Sequence, residues 1–355
     1  MMTEAAKQFV TPLSLGVASQ EKVYTSTFEE PMAHISLPSK ADIMVIAPAT
    51  ANVIAKLAHG IADDLLTTCF LSFGGKTVIA PAMNWRMYEN RVFQENLNKL
   101  ISLGVTQVGP AKGALACGEE GTGRMAEPAE IVEAVESALA GKDLRGENIV
   151  ITAGPTREHL DPVRFISNRS SGKMGYALAR AARNRGAAVT LISGPSALSR
   201  PAGMAFIEVE TSSEMLREVH KAVTPETSVL IMSAAVADFS PAGKAPAKIE
   251  KNGEMTLKLL PTPDIISSVS AGDKRPFIIG FAAETGELTG RAAEKMEKKK
   301  MDMIIFNDVT DPGAGFDVDT NRVVIIDRKG QTRLDLMSKD AVADAILDKF
   351  VEIKA

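Results

Sequence analysis

Short apolar runs alternate along the chain with longer segments in which apolar residues recur every three or four positions. Runs of this length, bounded by Gly, Pro, Asn or Ser, are typical of buried strands, and the segments between them are typical of helices. Strands are predicted at residues 43–48, 77–80, 148–152, 189–193, 229–233, 277–281 and 303–307. This alternation predicts an α/β fold with mostly parallel sheets and helices on both faces.

A polar segment with two glycines, residues 140–147, separates a predicted helix at 131–139 from a new apolar strand. Domain boundaries commonly fall in such exposed segments. The pattern therefore predicts two doubly wound domains, residues 1–140 and 148–355, joined by a linker at 141–147. Near the end, residues 322–327 with a turn at Lys329 and Gly330 predict a hairpin, and residues 339–351 predict a helix.

Length and charge agree with a two-domain protein. The chain has 355 residues, which corresponds to about two domains at roughly 150 residues per domain. Its 40 basic and 44 acidic residues give a formal net charge of −4, which excludes a broad basic surface for nucleic acid. No apolar run approaches the ~20 residues of a membrane helix, and two cysteines are too few for a disulfide framework. We therefore expect a cytoplasmic protein with neither nucleic-acid nor membrane partners.

Polar residues follow the first two predicted strands at their carboxyl ends, where sheets of this type bind ligands. Asn52 and Asn84 taken singly are explained as helix caps, because Asn is a favoured N-cap residue. Cys117 lies in a glycine-rich segment, residues 113–128, which predicts a flap that carries a thiol. Cys69, in an apolar helix, is expected to pack in the core.

Four motifs of the first half occur in a specific order: Ala-His-Ile at 33–35, Pro-Ala-Thr-Ala-Asn at 48–52, Pro-Ala-Met-Asn at 81–84 and Ala-Cys-Gly at 116–118. In this order they resemble the flavin-dependent cysteine decarboxylases, specifically the phosphopantothenoylcysteine decarboxylases. The resemblance implies a flavodoxin-like domain in which FMN oxidises the substrate thiol to a thioaldehyde and CO2 leaves to give an enethiol. The reduced flavin then reduces this enethiol to 4'-phosphopantetheine.

The resemblance also implies roles for single residues of this half. Cys117 would donate a proton, His34 would be the catalytic histidine, and Asn84 would bind the substrate carboxylate. Further residues would line the flavin and substrate cleft: Thr50, Asn52 and Met83.

The opening residues of the chain resemble the segment after the family's second strand. Roughly 35–40 residues, about one βα unit and a strand, are therefore expected to be missing at the amino end. The first strand is central in a flavodoxin-like sheet, and the glycine-rich loop after it cradles the flavin phosphate. FMN binding and decarboxylation are accordingly expected to be impaired in this chain.

The densest motif of the second half runs from residue 152 to residue 175 and includes Asn-Arg-Ser-Ser-Gly-Lys at 168–173. It lacks the G-x-x-x-x-G-K-[ST] pattern of a P-loop, so alone it predicts only a strand, a loop and a helix. With Ser-Ala-Ala-Val-Ala-Asp at 233–238, Thr-Pro-Asp-Ile-Ile at 262–266 and Gly-Phe-Ala-Ala-Glu-Thr at 280–285, it resembles the phosphopantothenate–cysteine ligases.

That resemblance implies a Rossmann-like ligase domain that uses CTP and Mg2+ to join 4'-phosphopantothenate to cysteine through an acyl-cytidylate. Lys248 and Asn168 would be catalytic, Asp238 would hold the metal or the ribose, and Arg169 would reach across a dimer interface in a homo-oligomer. Nucleotide contacts would come from Met232, Ser233, Ala234, Asp238, Lys248, Pro263, Asp264, Ile265, Ile266, Phe281, Lys295 and Lys299.

Lys295 and Lys299 are four residues apart and would share one helical face, from which both reach a triphosphate. A solvated helix face explains the same lysines without a ligand. Three other functions also remain open. The first is a ligase alone, with residues 1–140 an inactive oligomerisation remnant. The second is a non-catalytic regulatory or scaffold protein, which is disfavoured because a scaffold needs none of the residues Cys117, His34, Asn84, Lys248 and Asn168. The third, a dinucleotide-dependent dehydrogenase, is disfavoured because no G-x-G-x-x-G follows a predicted strand.

Overall fold

The computed structural model describes residues 1–114, 118–251, 253–272, 275–284, 289–308, 310–311, 313–315 and 317–354. The chain divides into two compact units, Met1–Ala140 and Gly141–Ala355. Each unit has its own core and is described separately.

The first unit contains two short 3-10 turns, Ala6–Gln8 and Pro38–Lys40, besides its helices and strands. Its helices and strands are α1 (Pro12–Ser19), α2 (Ala33–Ser36), β1 (Ile43–Ala49), α3 (Ala51–His59), α4 (Leu65–Ser72), β2 (Lys76–Pro81), α5 (Trp85–Tyr88), α6 (Arg91–Ser102), β3 (Thr106–Gln107), β4 (Ala111–Ala114), β5 (Glu120–Arg124) and α7 (Pro128–Leu139).

Three parallel strands in the order β1-β2-β3 form the sheet of the first unit. Strand β2 is buried along almost its whole length, which explains why it is a continuous apolar run. The buried Ile46 and Ile79 pack with apolar residues of α3, α4 and α6, whereas Ile131 of α7 packs with Ala80 in a smaller cluster. Strands β4 and β5 form a separate antiparallel hairpin.

The second unit alternates strands and helices along most of its length. Its elements are β6 (Asn148–Ala153), β7 (Arg157–His159), β8 (Phe165–Ser167), α8 (Lys173–Asn184), β9 (Ala188–Ser193), β10 (Ala205–Glu208), α9 (Ser212–Ala222), β11 (Val229–Met232), β12 (Phe239–Pro241), β13 (Leu259–Pro261), α10 (Ile265–Ser270), β14 (Phe277–Glu284), α11 (Thr289–Lys298), β15 (Met303–Asp308), β16 (Thr320–Asn321), β17 (Val324–Asp327), β18 (Gly330–Arg333), β19 (Met337–Ser338) and α12 (Lys339–Lys354).

The main sheet of the second unit has eight strands in the order β10-β9-β6-β11-β14-β15-β17-β18. The first six are parallel and follow the 3-2-1-4-5-6 order of a Rossmann sheet. Alternate residues of each strand face opposite layers of helices. Ile149 and Ile151 pack with α8 and α12, whereas Val150 belongs to the cluster that contains residues of α9, α10 and α11.

The predicted α/β class is confirmed, and each predicted strand coincides with an observed one within a few residues. The last two strands of the main sheet, β17 and β18, are antiparallel, as the predicted hairpin requires. The pattern did not predict the short pairs β7–β8 and β12–β13, because strands of three residues show no readable periodicity. Within the described part of the chain, no helix is long and apolar enough to span a bilayer.

Candidate active site

A cavity of about 600 Å³ opens in the second unit beyond the carboxyl ends of its parallel strands. Open α/β sheets bind ligands at this edge, beside the point where the strand order reverses. That point lies between β6 and β11, because β9 and β10 follow on one side of β6, whereas β11, β14 and β15 follow on the other. The walls come from the first turn of α8, the loop after β11, the start of α10 and one face of α11.

Most residues that the sequence predicted for the ligase site line this cavity. They are Asn168, Met232, Ser233, Ala234, Asp238, Pro263, Asp264, Ile265, Ile266, Phe281, Lys295 and Lys299. These residues are distant in sequence, and the parallel sheet brings them together because its strands end at one edge.

Asn168 is held by its own side chain against the loop after β11. Its Nδ2 donates a hydrogen bond to the carbonyl oxygen of Val236 at 2.9 Å. The same loop is fixed from below, because Ala237 N donates to Thr156 Oγ1 at 3.0 Å. With its amide nitrogen engaged in this way, Asn168 can present its Oδ1 acceptor to a ligand in the cavity.

The start of the β11 loop is fixed to the loop after β6. Ala234 N donates to Thr152 Oγ1 at 3.2 Å, and Ala235 N donates to the carbonyl oxygen of Gly154 at 2.9 Å. Two loops that would otherwise be independent therefore form one rigid wall of the cavity.

Of the two lysines on α11 and its last turn, only Lys299 has an ion-pair partner within the described residues. Its Nζ lies 2.9 Å from Asp264 Oδ2. Burial raises the pKa of Asp264, but hydrogen bonds from Ser267 and the Lys299 pair outweigh it and hold that pKa below its ordinary value. The partly buried Lys295 makes no such pair among the described residues, so its charge is directed toward the cavity.

Asp238 is exposed at the mouth of the cavity. Across the described parts of the chain, no group of three or more His, Cys, Asp or Glu side chains could hold a metal ion. A caged metal is therefore absent from those residues. Mg2+ requires only one or two carboxylates when substrate phosphates supply the remaining ligands, so a single Asp238 suits that ion.

Lys248 is exposed and is not among the residues that line the cavity. It lies in the segment that leaves β12 and returns at β13, which we call the Lys248 loop and define as residues 242–251. The role predicted for Lys248 stays a prediction.

The first turn of α8 approaches the sheet closely, and this explains its glycines. A Cβ on Gly175 would lie 2.6 Å from Ala153 Cβ, so only glycine allows the helix to begin there. Gly172, the N-cap residue, has a φ of 83° and makes no side-chain cap. Gly172, Lys173, Met174 and Gly175 line the cavity, and the first turn of a helix favours anions because its backbone N–H groups have no partners within the helix.

Sequence reasoning missed two lysines that line the cavity. Lys173 Nζ contacts Asp319 Oδ1 at 2.7 Å, and Lys339 Nζ donates to the carbonyl oxygen of Gly315 at 2.8 Å. Lys339 is only 5% exposed. Its burial lowers its pKa, and the charge of Lys173 lowers it further. No sequence pattern distinguishes Lys339 from a surface lysine, because what defines it is burial. Lys173 belongs to the motif at 168–173, but the sequence alone does not show that it lines the cavity.

Asn307 and Asn321 are two further polar side chains in the cavity wall. Both are buried, with 8% and 4% of their surface exposed. Asn307 directly follows an apolar strand run, so its position at a strand end was a readable signal. Asn321 belongs to the short strand β16, which no apolar pattern in the sequence predicts.

In the first unit, the residues predicted to line the flavin cleft lie at the ends of two neighbouring strands. Thr50 Oγ1 accepts a hydrogen bond from Val53 N at 3.3 Å and caps α3, and Asn84 Oδ1 accepts one from Arg86 N at 2.9 Å and caps α5. Ala82 N donates to the carbonyl oxygen of Ala49, which joins the two strand ends. The capping explanation therefore holds for Asn84, while Asn52 is exposed.

This wall suits the ring of a flavin, because the partly buried Met83 offers an apolar surface beside the hydroxyl of Thr50 and the amide of Asn52. The flavin phosphate requires a different feature, a glycine-rich loop between a strand and a helix. Among residues 1–114 and 118–140, no glycine-rich loop connects a strand to a following helix. The described residues thus fit the ring portion of the cofactor only.

The β4–β5 hairpin lies against the residues that follow β2. Met83 N donates to the carbonyl oxygen of Gly123 at 2.9 Å. Glu119 accepts a hydrogen bond from Trp85 Nε1 at 2.8 Å and forms an ion pair with Arg86 at 2.8 Å. The hairpin is therefore attached at its base and near its tip.

The other two predicted catalytic residues of this unit are Cys117 and His34. Cys117 lies outside the described residues. His34 lies on α2, and its backbone carbonyl accepts a hydrogen bond from Ser72 of α4. Cys69 is fully buried, as expected for a packing residue, and burial raises the pKa of its thiol.

Comparison with known proteins extends over both units. Residues 1–140 match the family described as Flavoprotein, and residues 144–353 match the DNA/pantothenate metabolism flavoprotein C-terminal domain. The coenzyme A biosynthesis bifunctional protein CoaBC of Vibrio cholerae is 46% identical, and the match covers 98% of this chain and 89% of that protein. CoaBC of Bacillus subtilis is 45% identical, with 99% and 89% covered.

A solved structure supports the second unit in particular. The crystal structure of the C-terminal domain of a CoaBC protein is 37% identical, has a TM-score of 0.52, and covers 60% of this chain and 98% of that one.

The flavoprotein match and the Rossmann-ordered sheet with its cavity define a two-domain α/β flavoenzyme. The chain belongs to the CoaBC family of bifunctional coenzyme A biosynthesis proteins, which combine a decarboxylase domain with a ligase domain. The resemblance predicted from the motifs is therefore confirmed at the level of the family.

Proposed function

We propose that the second unit joins 4'-phosphopantothenate to cysteine with CTP, and that the first unit decarboxylates the product to 4'-phosphopantetheine with FMN. One observation carries the ligase half of this proposal. An amide, a carboxylate and two lysines, predicted separately from distant motifs, meet in one cavity at the switch point of a Rossmann sheet.

The first half-reaction activates a poor acylating agent. A carboxylate oxygen of phosphopantothenate attacks the α-phosphorus of CTP, a new P–O bond forms, and the α–β anhydride bond breaks to release pyrophosphate. Both reactants are anions, so catalysis requires cations held in position. Lys295 and Lys299 would supply them at one wall, and the first turn of α8 lines the same cavity.

Mg2+ would be held by Asp238 together with the phosphates of the nucleotide, where it would neutralise charge during the displacement. The protein's share of this task is the position of the Asp238 carboxylate. The backbone of Asp238 is held by Thr262, which follows β13 and whose N–H donates to the Asp238 carbonyl oxygen at 2.9 Å.

In the second half-reaction, the amine of cysteine attacks the acyl carbon and CMP leaves with the activated oxygen. Asn168 is suited to this step, because its amide is fixed by Val236 and is neutral beside a reacting acyl group. We assign Lys248 to the first half-reaction, in which charge develops at the α-phosphate.

In the first unit, bound FMN would supply the two-electron oxidation of the substrate thiol, and the reduced flavin would return the two electrons to the enethiol that remains after CO2 leaves. Thr50, Asn52 and Met83 would hold the flavin ring, Asn84 would bind the substrate carboxylate, and His34 would lie near both. Cys117 would return a proton to the product. The β4–β5 hairpin, attached through Gly123 and Glu119, would cover the substrate and exclude water.

The chain is also proposed to form a homo-oligomer in which Arg169 reaches the site of a second copy. This proposal is supported by the position of Arg169, which is exposed beside Asn168 and lines the same cavity.

The ligase proposal is tested by product analysis of the purified chain. We expect continued conversion of CTP to equal amounts of CMP and pyrophosphate only when phosphopantothenate, Mg2+ and cysteine are all present. Without cysteine, pyrophosphate release should stop after about one acyl-cytidylate per site. Omission of one component at a time is the control. Equal turnover with ATP, or nucleotide hydrolysis that ignores phosphopantothenate, would contradict the proposal.

A further inference from the structure

The Lys248 loop is attached to the turn of the β7–β8 hairpin on both sides of Lys248. Three residues before it, Ala245 N donates to the carbonyl oxygen of Leu160 at 2.8 Å. One residue after it, Ile249 N donates to Asp161 Oδ2 at 3.1 Å. The carbonyl oxygen of Ile249 in turn accepts a hydrogen bond from Arg164 Nη2 at 3.0 Å.

Asp161 divides its two oxygens between two tasks. Oδ1 accepts hydrogen bonds from Val163 N at 2.7 Å and Arg164 N at 2.8 Å, which are contacts that any turn-forming Asp or Asn makes. Oδ2 serves the Lys248 loop through Ile249, and it also lies 3.8 Å from Nη1 of Arg164, whose guanidinium bonds to the same Ile249. The hairpin turn needs one oxygen only, so the second oxygen is what demands a carboxylate at this position.

The Asp161 carboxylate is fully buried, and a buried charge destabilises the folded protein unless hydrogen bonds or an opposite charge compensate it. Burial raises the pKa of Asp161, but the N–H groups of Val163, Ile249 and Arg164 outweigh that effect and hold the pKa below its ordinary value. Asp161 is therefore an anion at neutral pH, and its bond to Ile249 is charge-assisted.

The same hairpin carries the other predicted catalytic residue of the ligase. Asn168 directly follows β8, the second strand of the hairpin, and its amide bonds to the loop after β11. The turn of the hairpin thus holds the Lys248 loop, while its far end holds Asn168. One small rigid element sets the position of both groups.

We propose that Asp161 is a positioning residue of the ligase reaction, which acts by holding the Lys248 loop through Ile249. This inference rests on the proposed role of Lys248 in acyl-cytidylate formation. Asp161 itself touches no substrate. Its effect therefore falls on the step that uses Lys248 and leaves the capture of the acyl-cytidylate by cysteine unchanged.

The test uses Asp161→Asn, which keeps one oxygen for the hairpin turn but places an amide N–H2 opposite Ile249 N. A charge-assisted hydrogen bond of this kind corresponds to about tenfold to hundredfold in an equilibrium. We expect tryptic cleavage after the exposed Lys244 to become faster by about that factor. We expect acyl-cytidylate formation to slow, with capture by cysteine unaffected.

The decisive measurement combines this change with Lys248→Gln. Because Asp161 acts only through the Lys248 loop, the double variant is expected to be no slower in acyl-cytidylate formation than Lys248→Gln alone. Asp302→Asn is the matched control, since Asp302 also accepts a backbone hydrogen bond, from Ile278 N at 2.9 Å, away from the loop. It should leave cleavage after Lys244 unchanged.

A second pair of variants protects the test against misfolding of Asp161→Asn. Ile249→Pro removes the donor N–H and leaves the buried carboxylate in place, whereas Ala247→Pro introduces proline on the other side of Lys248. Only Ile249→Pro is expected to slow acyl-cytidylate formation and to speed tryptic cleavage after Lys244, as Asp161→Asn does.

Several outcomes would overturn the inference. They are additive effects of Asp161→Asn and Lys248→Gln, equal slowing of both half-reactions, or unchanged cleavage after Lys244. Failure of the proposed function would look different, because the wild-type chain would then form no acyl-cytidylate. In that case the proposed positioning role of Asp161 fails as well. Faster tryptic cleavage of Asp161→Asn would then show only that Asp161 holds the Lys248 loop in place.

Discussion

Asn168 and Lys248 are expected to fail at different steps when they are changed. Lys248→Gln removes a cation from the step in which charge develops at the α-phosphate, so acyl-cytidylate formation should slow. Asn168→Asp places a carboxylate beside the acyl group, so the intermediate should form but react slowly with cysteine. Loss of one such group typically costs about 10²–10³ in rate. Rapid quenching with labelled phosphopantothenate separates the two defects.

The control for this pair is Lys244→Gln, an exposed lysine of the same loop. It should leave both half-reactions unchanged. Identical defects of the Lys248 and Asn168 variants in both half-reactions would contradict the separate roles.

At the residue scale, the sequence predicted those cavity residues that belong to dense motifs. Asn168, Asp238 and Phe281 stand in runs with few alternatives, and all three line the cavity. Lys339 could not be found in this way. In the sequence it is an ordinary lysine at a helix start, and its distinction comes from burial at 5% exposure and contacts with loop carbonyls.

At the scale of elements, the contact between the β4–β5 hairpin and Met83 depends on Gly123. A Cβ on Gly123 would lie 2.1 Å from the carbonyl oxygen of Met83, so any side chain forces the hairpin away. We expect Gly123→Ala to reduce decarboxylation at least about tenfold, because a misplaced covering loop costs orientation. Ligation in the second unit should continue at the wild-type rate.

Gly113→Ala is the matched control for this hairpin, because nothing lies within 4 Å of the Cβ it would add. It should release CO2 at the wild-type rate, and hydrogen exchange across residues 118–124 should be unchanged. In Gly123→Ala that exchange should rise. A Gly123→Ala variant with unchanged exchange and full decarboxylation would contradict the importance of the contact.

Elements with strong apolar patterns were predictable, and short ones were not. Strands β6, β11 and β15 are nearly continuous apolar runs because helices cover both faces of the sheet. The β7–β8 hairpin has three residues in each strand and lies outside the main sheet, so its pairing is decided by tertiary contacts. Asp161, which lies in its turn, falls within the motif at residues 152–175, but the sequence alone indicates no role for it.

At the scale of the whole molecule, each unit has a core of its own. The clusters around Ile46 in the first unit and Ile151 in the second are built from separate sets of helices and strands. Substitutions in one unit are therefore expected to change one activity at a time, as the Gly123 variant would show. The sequence predicted this division from a polar, glycine-containing segment, because a break in hydrophobic patterning is visible without any contact information.

The central claim is that the ligase activates its substrate as an acyl-cytidylate, and one isotope measurement tests it directly. Phosphopantothenate labelled with 18O in its carboxylate is incubated with CTP, Mg2+ and cysteine, and the nucleotide and phosphate products are analysed by mass spectrometry. The account predicts that one 18O atom from the carboxylate appears in CMP and none in pyrophosphate, because attack occurs at the α-phosphorus. Transfer of 18O to inorganic phosphate with release of CDP, or CMP without label, would contradict it.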